Sequence, residues 1–207
     1  MGSNALIAAF GFEARSGKDT CCDYLYNAYK GSSILRTSFA KRLRFEVHEA
    51  VQDIAGKYLC PPREAMEILC IRKGVQFDPF AKPEGIDIYG KQRFLLQYWG
   101  MMRRVEHPDY WVDRVDDEIE QIKPDLVLIS DLRFKNEAAW VKSRSGYTVH
   151  VYRPDNKGLD ETAAKHVSEQ ELIDHQFDYK ITNDGSLKQL HYRANATFHN
   201  ILQRKLF

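Results

Sequence analysis

The sequence has few cysteines, no long apolar run and almost no excess of charge of either sign. It contains four cysteines in 207 residues. They are few and irregularly spaced, without a C-x-x-C pair, so they predict neither a disulfide framework nor a zinc site. No stretch reaches the roughly 18–20 apolar residues that cross a bilayer, and no basic segment followed by an apolar core opens the chain. We therefore expect reduced thiols, a cytoplasmic location and no membrane partner.

The charge balance limits the kinds of ligand that the whole surface can bind. Thirty Lys and Arg residues face 29 Asp and Glu residues, which leaves a formal net charge of +1. A protein that grips nucleic acid by its phosphates carries a broad excess of positive charge. We therefore expect no stable nucleic-acid binding, although thirty cations still allow one concentrated anion site.

Short apolar segments alternate with segments of helical spacing near both ends of the chain. This alternation predicts an α/β protein, with a central parallel sheet covered by helices on both faces. Between the two α/β parts, a block without strands predicts a helical insertion over residues 39–122. The predicted strands cover residues 5–10, 34–38, 126–130, 147–152 and 179–182, and the predicted helices include residues 93–105, 110–122, 135–142, 167–175 and 186–202.

The first predicted strand leads through a polar loop into a helix, which is the setting of a phosphate-binding loop. In such loops the backbone N–H groups at the helix start bind phosphate, and a lysine reaches the terminal phosphates. Lys18 after Gly17 fits that pattern. Two positions depart from it: Phe12 stands where the motif has its first glycine, and Asp19 stands where it has a hydroxyl, which arrives one residue later at Thr20.

A carboxylate ends the predicted strand over residues 126–130. In open α/β sheets, ligands bind at the carboxyl ends of the strands. Asp131 at this end is suited to hold Mg²⁺ directly or through water, as the second metal-binding motif of phosphate-loop enzymes does. Alone, it would equally fit the cap of the following helix; together with the phosphate loop, the metal role is the better interpretation.

Several short motifs occur in order along nearly the whole chain. They are Gly17-Lys18-Asp19-Thr20, Ser38-Phe39-Ala40 with Leu43-Arg44, Arg93-x-Leu95-Leu96-Gln97-x-x-Gly100, His107-Pro108-Asp109-x-Trp111-Val112, Ser130-Asp131-x-Arg133-Phe134-x-Asn136-Glu137, His166-x-Ser168-Glu169 and Asn183-Asp184-Gly185-Ser186. Each motif is weak alone, whereas the ordered set is fairly specific and resembles the bacteriophage deoxynucleoside monophosphate kinase family. One departure is Gly100-Met101-Met102, where the family usually has Gly-Thr.

The resemblance implies a P-loop kinase fold with a helical acceptor-binding insertion, a lid over residues 153–166 and a homodimer. It implies transfer of the γ-phosphate of ATP to a deoxynucleoside monophosphate with Mg²⁺, through Lys18, Asp19, Asp131 and Arg133. Asp131 and Asp19 are the implied Mg²⁺ ligands. The implied ATP-binding residues are Arg15, Ser16, Gly17, Lys18, Asp19, Thr20, Arg153, Asn183, Asp184 and Gly185. The implied acceptor-binding residues are Phe39, Arg44, Arg93, Gln97, Arg104 and Trp111.

Two other functions remain compatible with the sequence. A P-loop kinase of this kind could act on a different acceptor, either a small phosphorylated metabolite or a modified base already in DNA. The near-neutral charge argues against the DNA acceptor. A non-catalytic nucleotide-binding module is the third interpretation, supported only by Phe12 and by Met101-Met102. It is disfavoured because Lys18, Asp131 and Arg133 occur together with a basic lid segment.

Overall fold

The structure, a computed structural model, describes residues 5–29, 33–83, 87–154 and 166–205. Most of the predicted lid, residues 155–165, lies outside this description. The described chain forms two compact units: residues 1–39 with 112–207, and residues 40–111. No helix in the described residues is long and apolar enough to cross a membrane.

The first unit is built on five parallel strands in the order β2-β3-β1-β4-β5. This arrangement confirms the predicted α/β class with a central parallel sheet. The strands are β1 (Leu6–Gly11), β2 (Ile34–Thr37), β3 (Leu126–Leu132), β4 (Tyr147–Tyr152) and β5 (Tyr179–Thr182); the helices are α1 (Lys18–Ala28), α5 (Tyr110–Ile122), α6 (Lys135–Ser143) and α7 (Leu187–Lys205).

Helices cover both faces of the sheet. The side chains of a strand alternate between these two faces, so each strand packs against helices on both sides. Leu6, Ala8 and Phe10 of β1 lie in one buried cluster with residues of α1 and α7. On the opposite face, Ile7 lies beside α6, close to Gly146 and Val141. The unit is therefore a three-layer α/β/α arrangement, in which buried strands carry nearly continuous apolar runs.

The second unit consists of the helices α2 (Ala40–Tyr58), α3 (Pro62–Lys73) and α4 (Arg93–Glu106). Its internal polar centre is Glu46, which is 7% exposed. The carboxylate accepts hydrogen bonds from Tyr110 Oη at 2.6 Å, Trp99 Nε1 at 3.1 Å and Arg103 Nε at 3.1 Å. Burial by itself would raise the pKa of Glu46, but these hydrogen bonds outweigh it and lower the pKa. Glu46 thus joins α2 to α4 and to Tyr110, which belongs to the same unit.

The prediction of a helix over residues 167–175 is wrong for most of that range. Only Val167–Glu169 is helical, as a single 3₁₀ turn, and the following residues form separate turns. Of its apolar residues, Leu172 is 1% exposed whereas Ile173 is 58% exposed. A single buried residue provides no apolar stripe for packing, and short helices depend on such packing for stability.

The close contact between Gly146 and the sheet gives a test of this packing. A Cβ added at Gly146 would lie 2.9 Å from the Val141 carbonyl oxygen and 3.0 Å from Ile7 Cβ, whereas one added at Gly56, inside α2, meets nothing within 4 Å. We expect Gly146→Ala to lower the free energy of unfolding by about 1–3 kcal/mol. We expect the control Gly56→Ala to raise it by about 0.5–1 kcal/mol. Urea unfolding followed by circular dichroism measures both, and an unchanged Gly146→Ala variant would contradict the contact.

Candidate functional site

The loop between β1 and α1 turns through two residues in the left-handed region. Arg15 has a φ of 59° and Gly17, the N-cap of α1, has a φ of 107°. Gly17 also lies against Asn183, where an added Cβ would be 2.8 Å from Nδ2. Position 17 therefore requires glycine both for its backbone conformation and for the space beside it. The turn leaves the first N–H groups of α1 at the end of the loop, where a helix binds anions.

The glycine at the start of the loop is explained by a close approach to the neighbouring strand. A Cβ at Gly11 would lie 2.8 Å from the Leu132 carbonyl oxygen. Phe12 does not adopt a positive φ. Gly11, one residue before the motif's first position, therefore allows the close contact with β3. The residues with positive φ, Arg15 and Gly17, come later in the loop.

Lys18 is held over the loop by the loop's own oxygen atoms. Its side chain is 5% exposed, and Nζ donates a hydrogen bond to the Glu13 carbonyl and lies 3.5 Å from Ser16 Oγ. Ser16 Oγ donates to the same carbonyl at 3.0 Å. Burial and, to a smaller extent, the charge of Arg133 lower the pKa of Lys18 to about 8, although three nearby carboxylates act in the opposite direction. A buried ammonium close to an exposed pocket is suited to bind a terminal phosphate.

A pocket of about 420 Å³ opens at the start of α1, and eight predicted ATP-binding residues line it. The sequence did not indicate its two leucines, Leu187 and Leu190, as site residues. Their helical spacing predicted packing positions of α7, and no sequence signal separated a leucine facing a pocket from one facing the core. The ten lining residues are Arg15, Gly17, Lys18, Asp19, Thr20, Arg153, Asn183, Gly185, Leu187 and Leu190. Ser16 is fully buried and does not line the pocket.

The loop after β5 is fixed to the phosphate loop and to α7. Asn183 Nδ2 donates to the Ser16 carbonyl at 2.8 Å. Arg193 donates to the Thr182 carbonyl and lies 2.5 Å from Asp184 Oδ1. This hydrogen bond lowers the pKa of Asp184. Asp184 therefore serves to hold the loop, whereas Asn183 and Gly185 line the pocket.

Asp131 and Arg133 lie at the end of β3, and both influence the pKa of Lys18. The strand runs one residue past Asp131, whose Oδ1 accepts a hydrogen bond from the Phe39 N–H at 2.8 Å. Arg133 donates to the Glu169 carboxylate and, at 3.4 Å, to the Ser168 carbonyl. The 3₁₀ turn thus anchors the guanidinium near Lys18.

Asp131 and Asp19 each offer a carboxylate that suits Mg²⁺. In the described part of the chain, no three His, Cys, Asp or Glu side chains are grouped to hold a metal ion. Mg²⁺ in phosphoryl-transfer enzymes needs only one or two carboxylates, because phosphates and waters complete its octahedron. Asp131 provides such a carboxylate at the end of β3, where its charge acts on Lys18. Asp19 also acts on Lys18 and, unlike Asp131, lines the pocket, but it pairs with Arg36 at 3.2 Å.

Four of the predicted acceptor-binding residues are polar residues of the second unit. Arg44 pairs with Asp87 at 3.4 Å. Arg93, Gln97 and Arg104 are half-buried. Their spacing of four and seven residues places all three on one face of α4. That face carries two guanidinium groups and an amide, the groups that bind phosphate and hydrogen-bond a base edge.

Phe39 and Trp111, the two aromatic residues among the implied acceptor-binding residues, are both buried. Each side chain is 2% exposed. Phe39 packs edge-to-face on Trp140, with ring centroids 5.9 Å apart, and Trp111 Nε1 donates to the Gly100 carbonyl at 3.1 Å. Both residues belong to the cores of their units, because large aromatic rings gain free energy by burying most of their surface.

Comparison with known proteins supports a kinase. Residues 92–194, just under half of the chain, match the family model described as deoxynucleotide monophosphate kinase. The matched range includes Asp131, Arg133 and Asn183 but begins after the phosphate loop. No curated protein matches the chain in sequence. Among solved structures, the dephospho-CoA kinase from Campylobacter jejuni is similar, with 14% identity and a TM-score of 0.46 over 96% of this chain and 97% of that one. The family match confirms the resemblance indicated by the ordered motifs, and over residues 92–194 the chain is like the deoxynucleotide monophosphate kinases, a family of nucleotide-phosphorylating enzymes.

Proposed function

We propose that this protein transfers the γ-phosphate of ATP to a deoxynucleoside monophosphate in the presence of Mg²⁺. The observation that carries the proposal is the pocket at the start of α1, where the buried Lys18 opens a helix whose N-cap Gly17 makes no side-chain hydrogen bond. The family match to deoxynucleotide monophosphate kinases supports the acceptor class.

The chain's own part in the reaction is alignment and positive charge. Phosphoryl transfer passes through a loose transition state, with charge spread over the oxygens of the moving group. The N–H groups after Gly17 would bind the donor phosphates, and Lys18 would stay with the transferred group. Arg133, held by Glu169, would add a second fixed positive charge close to Lys18. Fixed charges of this kind stabilise the transition state without reorganising.

Asp131 is the residue that would hold Mg²⁺. When bound, the ion would neutralise charge on the donor phosphates. The Phe39 N–H already binds Oδ1 of Asp131 and orients the carboxylate. Asp19 is left with a lesser role, since its carboxylate is paired with Arg36.

The acceptor side would use Arg44, Arg93, Gln97 and Arg104. A monophosphate is already an anionic nucleophile, so the reaction needs no strong general base from the protein. Two arginines on one face of α4 would bind the acceptor phosphate, and Gln97 between them in sequence would contact the base or the sugar. The predicted lid over residues 153–166 would exclude water, so that ATP is not hydrolysed.

Replacement of Lys18 tests the proposal directly. We expect the unaltered chain to release ADP from ATP only when a deoxynucleoside monophosphate is present. We expect Lys18→Ala to lower kcat by about 100- to 1,000-fold, as loss of one transition-state charge does elsewhere. A coupled ADP-release assay against a panel of deoxynucleoside monophosphates measures both quantities.

The exposed Lys57 provides the control for this experiment, since Lys57→Ala should leave kcat unchanged. The proposal fails if no monophosphate stimulates turnover and Lys18→Ala leaves ATP binding unchanged. Stimulation by another phosphorylated metabolite alone would keep the kinase and replace the acceptor. Binding of ATP without transfer to any acceptor would indicate a non-catalytic module.

The lowered pKa of Lys18 predicts a pH dependence of ATP binding. The ammonium form binds phosphate, and its pKa in the chain without nucleotide is about 8. Affinity is therefore fully present below pH 8 and falls as the pH rises through 8, by up to about tenfold per pH unit. Titration calorimetry between pH 6.5 and 9.5 measures this decline. In Lys18→Met the step near pH 8 should disappear, and an unaltered step would contradict the assignment.

Asp131→Asn tests the metal role while preserving local structure. The amide oxygen of asparagine still accepts the hydrogen bond from the Phe39 N–H, so the variant should fold normally. We expect it to lower kcat by about 100-fold and to raise the Mg²⁺ concentration required for half-maximal rate, since an anionic metal ligand is lost. A Mg²⁺ titration of the initial rate is the measurement. Unchanged half-saturation would remove Asp131 from the metal site.

A further inference from the structure

The residue after the phosphate-loop lysine presents an electrostatic problem. Asp19 occupies the place of the usual hydroxyl, lines the pocket and has a side chain that is 74% exposed. A triphosphate bound at the start of α1 would meet this carboxylate at short range. Like charges at such distances repel, even where water and salt weaken the repulsion. A site that uses Asp19 therefore needs a compensating positive charge outside the phosphate-binding positions.

Arg36 on β2 supplies that charge, and the pleat of the strand explains its direction. Ile34 of β2 packs against the buried cluster formed with α1 and α7. Arg36, two residues later, lies on the same face and reaches α1. Its Nη2 is 3.2 Å from Asp19 Oδ1, and its Nε is 2.5 Å from Asp23 Oδ1. The two carboxylates lie one helical turn apart, so a single guanidinium spans both.

The exposure of the partners argues against a main role in stability. The side chains of Asp19 and Asp23 are 74% and 59% exposed. Ion pairs with exposed partners contribute little to the free energy of unfolding, because water screens them and ordering long side chains costs entropy. The same charges act on a ligand in the pocket that Asp19 lines. The effect of Arg36 should therefore appear in nucleotide binding more than in folding.

We propose that Arg36 is a positioning residue for the donor phosphates, which holds the Asp19 carboxylate against β2 and offsets its negative charge at the pocket. The inference deepens the proposed function and rests on it, since it requires a nucleotide triphosphate at the start of α1. It explains how a phosphate loop with aspartate after its lysine can accept a polyanion. Arg36 acts through Asp19 and needs no contact with the nucleotide.

The first unit contains a closely matched control. Arg144 also joins two carboxylates one helical turn apart, Asp116 and Glu120 of α5. The side chain of Arg144 is 23% exposed, compared with 28% for Arg36. None of these three residues lines the pocket. Loss of Arg144 therefore reproduces the loss of a similar ion-pair bridge without changing the charge beside Asp19.

The test measures the affinity for ATP in the presence of EDTA, which separates Asp19 from any metal role. Arg36→Gln should raise the Kd of ATP about tenfold at low ionic strength, and the effect should shrink toward threefold or less at about 0.5 M salt. In a chain that also carries Asp19→Asn, the same Arg36→Gln change should have no effect beyond twofold. This double-mutant cycle isolates the action of Arg36 through Asp19. Arg36→Lys, which keeps the charge, should stay within about threefold of the unaltered chain, and Arg144→Gln should not change the Kd.

Each other outcome overturns the inference in a distinguishable way. An equal loss of affinity with and without Asp19→Asn would mean that Arg36 contacts ATP or supports the fold. Arg36→Met keeps the packing of the aliphatic stem. Failure of both Arg36→Gln and Arg36→Met to fold, with Arg144→Gln folded, would show a structural role. If the unaltered chain binds and uses ATP while Arg36→Gln binds it equally well, the inference alone fails. If the unaltered chain binds ATP only when Mg²⁺ is present, the inference alone fails, because the ion and not Arg36 then offsets Asp19. If it binds ATP neither in EDTA nor with Mg²⁺, the proposed function fails as well.

Discussion

The side-chain amide of Asn183, bound to the carbonyl of Ser16, fixes the loop on which the rest of the site depends. The bond joins the end of β5 to the phosphate loop beside Gly17, whose lack of a side chain makes the approach feasible. With the loop in this position, the Glu13 carbonyl accepts from both Ser16 and Lys18. This hydrogen bond to the Glu13 carbonyl fixes the ammonium group of the buried Lys18 beside the pocket.

The order of the strands explains why residues from distant parts of the chain meet at this loop. β1 lies in the middle of the sheet, with β3 on one side and β4 on the other. Since all five strands are parallel, the segments that follow them leave the sheet at one edge. Asp131 and Arg133 at the end of β3, Arg153 after β4 and Asn183 after β5 therefore gather around the loop that follows β1. The net charge of +1 is compatible with an anion site because Arg15, Lys18, Arg133 and Arg153 all lie at this edge.

The fold could be predicted well from the sequence, and the site only in part. Apolar periodicity was sufficient for strands and helices whose packing follows a regular pattern, and β4 and α5 have the predicted bounds. The segment after His166 was predicted incorrectly because helical spacing does not reveal whether apolar residues meet a core. The burial of Phe39 and Trp111 could not be read from the sequence for the related reason that an aromatic ring suits a nucleobase and a core equally well. Leu187 and Leu190 were missed because the spacing of apolar residues in a helix does not show whether a leucine faces a pocket or the core.

The sequence by itself determined the alternation of strands and helices, the phosphate-loop pattern around Lys18 and the carboxylate at the end of β3. These features depend on neighbouring residues, whose spacing is fixed by the backbone. Only the tertiary structure decided that Arg36 meets Asp19 and Asp23, that Asn183 holds Ser16, and that burial lowers the pKa of Lys18 to about 8. Such contacts join residues that are far apart in the sequence. The pKa of a side chain depends on its burial and on the charged groups that surround it in the folded chain.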